Sequence, residues 1–354
     1  MAIRLVLVAL AGMLALAPIP ANLIERYYSI AAFPTLQRLL TPLSNSLPIA
    51  VLDLLILIVV GFALAVLVRG IRDAWRAKSF VVVLKAFGRL IVLSACLYLA
   101  FLLAWGFNYR RVPMGERLVV DRAAPTSNEV LRLGLQAVEG MNRSYAAAHG
   151  GTDAATWLDE GLRRAFADVQ HELSDAAPAE PGRPKASLLG FYFRWAGVDG
   201  MINPFALEVI VNPDLLPFER PFVIAHEWGH LAGYADESEA NFVGWLTCMH
   251  ASSAAQYSGW LYLYWEISSQ VDQAGRERLA AALESGPRRD LDAVVARVRR
   301  SQIPALRQAS WQAYDQYLKA NRVETGVRSY GAVVSLILRA RFGEGWTPVR
   351  RPTS

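Results

Sequence analysis

The run Pro221-Phe-Val-Ile-Ala-His226-Glu227-Trp-Gly-His230-Leu231 sets two histidines four residues apart around a glutamate, in an apolar, helix-compatible setting. Four residues of α-helix turn through about 400°, so the two imidazoles lie about 40° apart and can reach one metal ion. Glu227 follows His226 by about 100°, beside such an ion rather than on it. There it can take a proton from water at the ion's open position. Zn²⁺ is the cofactor this pattern implies, since it lowers the pKa of water toward about 7. The chain has only five histidines, and random placement gives this motif in roughly 0.4% of comparable sequences. The plain structural alternative is a packed helix whose histidines bond to their neighbours.

Catalytic zinc keeps three protein ligands and one open position, so a third ligand is expected downstream. Gly233 suits the residue that ends the helix. Asp236, Glu237 and Glu239 follow before a new apolar-periodic stretch from Ala240. In one reading, HExxHxxGxxD makes Asp236 the ligand, as in a metzincin with an aspartate third ligand. In another, Glu239 binds from the start of the next helix, as in gluzincins. Both residues also fit a helix N-terminus, with Asp236 as N-cap and Glu239 three residues on. Met249 falls within a predicted helix, so no metzincin-type Met-turn follows.

The elements that must carry these residues begin with membrane segments. The sequence is 54% hydrophobic and 19% charged, against about 45–50% and about 25% for soluble domains. The excess lies in the first 110 or so residues. Leu5 to Ile19 is a short apolar run, read as a retained first anchor because Pro18 disfavours cleavage after Ala17. Ile49 to Val68 and Phe87 to Phe107 are each long enough to cross about 30 Å of hydrocarbon. Between them, residues 69–86 carry Arg69, Arg72, Arg76, Lys78 and Lys85, whereas the loop after the first run carries Arg26 and Arg38. The basic loop is therefore expected in the cytoplasm, with everything after Phe107 outside, on the periplasmic face of a bacterial inner membrane. Residues 21–47 suit an interfacial amphipathic helix. Asp53, about one turn from the interface, reads as a solvated end residue. The net charge of +5 follows from these topology signals, and no nucleic-acid partner is expected. Cys96 and Cys248 are too few and too far apart for a disulfide framework.

Residues 1–111 thus form a membrane anchor and residues 112–354 an extracytoplasmic domain. Ser127–Ala148 and Ala154–Leu173 have helical periods, Asp175–Lys185 is a proline-rich surface loop, and Leu207–Asn212 alternates as a strand. Nearly everything from Pro221 is helical by period, through Trp311–Leu318 and Tyr330–Arg341. The fold class is mainly α: transmembrane helices followed by a zincin-like, mostly helical domain with a small β-sheet. The strand before the HExxH helix is a candidate edge for pairing with an extended peptide. Tyr330 and Asn321 are candidate donors to an oxyanion. His171 and His250 read as bystanders, and Cys248 as a small buried residue.

Glu237-Ser-Glu239-Ala-Asn241-Phe242 is similar to the E-x-E-A-D/N element of membrane zinc peptidases of the HtpX and CAAX-prenyl-protease type, in which the glutamate before alanine binds zinc. More widely, the chain resembles an uncharacterised bacterial family of three-span membrane zinc metallopeptidases. That resemblance runs through Glu25-Arg26-Tyr27-Tyr28, Asn203-Pro204-Phe205, HExxH with E-x-E-A-N-F, Lys319-Ala320-Asn321, and Gly326-Val327 with Ser329-Tyr330. The family pattern has glycine where Leu207 stands. The resemblance implies a gluzincin-like site of His226, His230 and Glu239 with Glu227 as base; Asp236 is the alternative third ligand and Glu237 stands behind both. The activity expected is peptide-bond hydrolysis at the membrane. A non-catalytic, zinc-stabilised envelope binding protein and a cell-wall amide hydrolase are the alternatives.

Overall fold

The structure, a computed structural model, describes residues 2–150, 159–323 and 331–352. It opens with α1 (Ala2–Leu16), which packs along α5. A bend of 115° leads into a second helical stretch: a first turn α2 (Ala21–Ile24), a wide π-helical segment over Glu25–Ala32, and α3 (Phe33–Ser46). The long apolar helices α4 (Val51–Ala77) and α5 (Phe80–Ala104) form a hairpin, and each is long and apolar enough to cross a membrane. Lys78, in the left-handed region at φ 44°, turns the chain between them. Gly70 lets the pair approach closely, since a Cβ there would lie 2.6 Å from Ala86 Cβ.

The polarity of α3 is inverted relative to a helix that covers a core. Its buried side is polar: Gln37 and Thr41 are wholly buried, while Leu39 and Leu43 are about 60% exposed. Gln37 exchanges hydrogen bonds with the backbone of Glu180 (2.7 and 2.8 Å), Asn45 donates to Pro181 O (3.1 Å), and Thr41 donates to Leu207 O (2.8 Å). A leucine face turned outward beside two helices apolar enough to cross a membrane is what an interfacial helix presents to lipid.

A short 3₁₀ turn over Gly106–Arg110 and α6 (Met114–Arg117) lead into the second half. There α7 (Ser127–His149), closed by a capping box between Thr126 and Glu129, packs on α12. α8 (Glu160–Leu173) and α9 (Gly190–Ala196) follow. The sheet has two antiparallel strands, β1 (Gly200–Asn203) and β2 (Glu208–Val211), with Gly200 opposite Val211. Helices α10 (Arg220–Leu231), α11 (Glu237–His250), α12 (Ser253–Gln270), α13 (Gln273–Ala282), α14 (Ser285–Ser301), α15 (Pro304–Ala320) and α16 (Ala332–Arg339) complete the fold. Between the strands Leu207 sits at φ 49° with its side chain fully buried. The backbone there favours glycine; the leucine adds core packing under α3.

Several expectations shift. The helix expected from Ala154 begins at Glu160, and residues 151–158 lie outside the described residues. The aromatic run Phe191–Trp195 lies within α9, with the Phe191 and Trp195 rings packed one turn apart. The spans are offset from the expected bounds because hydropathy ends at the lipid whereas the helix continues. The boundary at residue 111 does not separate two cores. One hydrophobic cluster joins Phe33, Phe101, Leu102, Trp105 and Phe107 to Trp228, Leu231 and Trp245.

A buried ionic knot ties the first membrane helix of the hairpin to the sheet. The Glu208 carboxylate accepts from the first amides of α4, Val51 N (3.0 Å) and Leu52 N (2.7 Å), and from Asn203 Nδ2 (3.0 Å) and Lys185 Nζ (2.8 Å). Those amides have no partner inside the helix and sit at the positive end of its dipole. Asp53 is likewise engaged rather than merely solvated, accepting from Ser187 Oγ (2.5 Å) and Leu188 N (2.9 Å).

Candidate functional site

α10 carries the HExxH residues. Pro221 occupies its first turn, and Phe222 N donates to Ser258 Oγ at 3.0 Å. At the other end Gly233 takes φ +83° and Tyr234 N reaches back to Gly229 O (3.1 Å), as helix termination by glycine requires. The membrane hairpin reaches this end directly. Trp105, the residue after α5, donates its indole N–H to His230 O at 2.8 Å, and Arg111 donates to Gly233 O at 3.0 Å. Arg111 also forms a bidentate pair with Glu25 (2.8 and 3.0 Å). His226 and His230 share one face of α10, their ring centroids 4.7 Å apart.

α11 crosses α10 closely. A Cβ on Gly244 would lie 2.9 Å from His226 N, and one on Gly229 3.2 Å from Ala240 O. Asp236 caps α11, accepting from Ser238 N (2.8 Å) and Glu239 N (3.4 Å). This cap makes Glu237 the first helical residue, on the stripe with Asn241 and Gly244 that faces α10. Glu237 Oε2 lies 3.5 Å from His226 Nε2 and 3.6 Å from His230 Nε2. It has no hydrogen-bond partner among the described residues. One such atom from each of His226, His230 and Glu237 falls within 4.8 Å of the others. Tetrahedral zinc with bonds near 2.05 Å has ligand–ligand edges of about 3.4 Å, which these separations match. An orphaned, buried carboxylate oxygen aimed between two imidazole Nε2 atoms fits a divalent transition metal in donor type and spacing.

The third position therefore differs from the expected one. Glu239, about 200° further around α11, points away from the histidines; it accepts from Met114 N (2.5 Å) and faces Arg117 (3.7 Å). Asp236 is occupied by the helix cap. Of the three, Glu237 is the one whose carboxylate faces both histidines.

The remaining nitrogens and oxygens are arranged around this cluster. His230 Nδ1 is 2.8 Å from Tyr234 O, a bond that puts the proton on Nδ1 and leaves Nε2 to face Glu237. Tyr314, on α15, donates a short hydrogen bond to Glu237 Oε1. Burial alone would raise the Glu237 carboxyl, but the positive charge of His230 beside it outweighs that and holds Glu237 ionised, below the usual range. Burial pushes His226 down to about 4, helped by the charge of His230. Burial likewise lifts Glu227 to about 8, against the pull of His230.

Glu227 stands over the sheet. A Cβ on Gly200 would lie 2.5 Å from Glu227 Oε1, so only a glycine of β1 leaves the carboxylate this place. The expected edge strand is not the outer one. β2 is covered on one side by β1 and on the other by Lys185, whose N–H and C=O pair with Val209 and Val211 at 3.0 Å each. β1 is the outer strand. Val209 and Val211 direct their backbone groups at Lys185, so their register partners Ile202 and Gly200 direct theirs away from β2. Arg297 of α14 fixes both elements, bonding Asp199 (2.8 Å) before β1 and Glu219 (2.7 Å) before α10.

Asn321 caps α15, its amide donating to Tyr317 O at 2.9 Å, and Tyr330 lies outside the described residues. His171 is exposed, His250 faces Glu172 at 3.6 Å, and Cys248 is fully buried. Sequence reasoning missed Trp105, Gly200 and Tyr314, which come together only through tertiary packing. The Glu237–Asn241–Gly244 stripe, with its small residue at the helix crossing, was a readable signal for Glu237.

No curated protein and no solved structure matches the chain. A family profile does, over residues 28–338, a span that takes in both helices long and apolar enough to cross a membrane and the whole of the α10–α11 cluster. The chain therefore belongs to the family described as "Protein of unknown function (DUF3810)".

Proposed function

We propose that the protein is a membrane-anchored, zinc-dependent peptidase with its site on the outer face of the membrane. The observation that carries this reading is the convergence of His226 Nε2, His230 Nε2 and Glu237 Oε2, with the Glu227 carboxylate on the same helix as the histidines and its Oε2 without a hydrogen-bond partner among the described residues. A purely structural zinc site is closed by four protein ligands and has no use for a neighbouring base. A zinc ion held by these three residues would supply Lewis acidity and an open position for water. Glu227 accepts the proton of the attacking water and delivers it to the departing amine, as the new C–O bond forms and the C–N bond breaks. The outward backbone groups of Gly200 and Ile202 suit pairing with an extended peptide next to that base. Tyr314 and the Tyr234 carbonyl orient two of the metal-facing side chains.

The outward placement is supported by the basic residues on either side of the turn between α4 and α5. Arg69, Arg72, Arg76, Lys78 and Lys85 cluster at the end of the hairpin remote from the site, and such clusters stay in the cytoplasm. The test is hydrolysis of a degenerate peptide pool by the full zinc-supplied chain in detergent, beside Glu227→Gln. Cleavage by the wild type that is lost in a variant still holding zinc supports the reading; equal cleavage by both contradicts it.

A further inference from the structure

The metal cluster is about 120 residues from the last span in sequence, yet in space it adjoins the end of that span. The His230 and Trp105 rings are 6.2 Å apart, and Trp105 directly follows α5. Three landmarks place the lipid boundary there. From Lys85 to Ala104 α5 rises about 30 Å, one hydrocarbon thickness, so a boundary set by Lys85 on one side falls at Ala104–Trp105 on the other. α4 begins at Val51 on the same side, its first amides held by Glu208. The leucine face of α3 leads into α4 at that level.

α15 continues the same boundary across the site. At its start Ile303 N donates to Trp195 O (3.0 Å), beside exposed Phe191 and Trp195 on α9. At its end Arg322 donates to Ala17 O (2.8 Å) after α1. In between, Tyr314 bonds Glu237 and Tyr317 packs on Phe101 of α5 (6.2 Å). Exposed aromatic rings at the ends of membrane helices are the mark of the water–lipid interface.

On the peptidase reading, we infer that the substrate is a polypeptide tethered in the same membrane, cut close to where it leaves the bilayer. A site whose His230 ring lies 6.2 Å from Trp105 at the end of α5 is reached by a few extended residues, at about 3.3–3.6 Å each. A chain anchored beside the enzyme presents such a segment. A folded soluble protein presents its surface from the aqueous side and cannot enter between the site and the lipid.

The test uses the full zinc-supplied chain in phosphatidylcholine–phosphatidylglycerol vesicles. The probe is a degenerate dodecapeptide pool, either free or joined to a bilayer-spanning leucine–alanine helix, with Glu227→Gln as the blank. The inference predicts cleavage of the anchored pool at least ten-fold faster than of the free pool, at bonds within about eight residues of the anchor. Equal rates, or cuts spread along the pool, overturn it and leave the peptidase reading standing. No Glu227-dependent cleavage of either pool overturns both. A second measurement does not depend on turnover: a fluorophore at Ala313→Cys, in a Cys96→Ser background, is expected to be quenched at least two-fold more by headgroup-borne nitroxide than by soluble nitroxide. The opposite order overturns the placement at the interface.

Discussion

Replacing Glu208 by glutamine tests how the membrane hairpin is fastened to the domain. The Glu208 and Lys185 side chains are 0% and 2% exposed, so their charges are compensated only by each other and by neighbouring dipoles. Glutamine keeps the volume and one acceptor oxygen. It turns an NH₂ group toward a site where four donors now converge, and it leaves the Lys185 ammonium without its counter-charge. Breaking one partner out of a buried pair costs about 3–5 kcal/mol. The Lys185→Met single variant should cost a similar amount, because it strands the carboxylate. The double variant Glu208→Gln/Lys185→Met removes both charges and should be less destabilised than the sum of the singles by at least about 1 kcal/mol. Unfolding of the full chain in detergent, followed by tryptophan fluorescence against denaturant, gives the cycle. Hydrogen exchange at the Val51 and Leu52 amides gives the local readout, with protection falling in Glu208→Gln. A Glu208→Gln variant within about 0.5 kcal/mol of wild type, or strictly additive singles, would refute the reasoning.

Three further outcomes follow from the geometry. Gly200→Ala places a methyl 2.5 Å from the present Glu227 Oε1 and must move that carboxylate by about 1 Å; turnover should fall about 100-fold with metal content unchanged, as steady-state kinetics beside elemental analysis would read. Tyr314→Phe removes the phenol from Glu237 Oε1, and zinc affinity measured by chelator competition should drop about 10–100-fold. Burial lifts Glu266 to about 7 from the usual 4.5. This group favours folding fully below pH 4.5 and loses that contribution as pH rises through about 7. Glu266→Gln should therefore match wild type in thermal stability near pH 4 and exceed it near pH 8 by up to about 3 kcal/mol; a constant difference across that range would remove the explanation.

Local physics made part of this molecule legible in its sequence. The HExxH helix, its proline start and its Gly233 stop are encoded within about a dozen residues, and the two long apolar helices are encoded by sustained hydropathy, with Arg89 near the start of the second run. The carboxylate that faces the two histidines was not legible because Glu237, Glu239 and Asp236 are near neighbours in sequence, and only the helix cap at Asp236 fixes which of them turns toward α10. The last span and the HExxH helix lie about 120 residues apart in sequence, and only tertiary packing brings the Trp105 indole onto the His230 carbonyl. The two sides of residue 111 are also joined in a way no local signal announced: Glu25, Arg111 and Arg117 form one ionic group. For α3 the amphipathic pattern was visible, but not that its polar side would be the buried one.

The central claim is that His226, His230 and Glu237 bind a metal ion. Its most direct test is the metal content of the full chain, purified in detergent and supplied with zinc, beside Glu237→Ala and Glu239→Ala, with circular dichroism to verify that each variant keeps its helices. The account predicts about one zinc per wild-type chain, lost in Glu237→Ala and retained in Glu239→Ala. Zinc retained in a folded Glu237→Ala, or absent from the wild type, would contradict it.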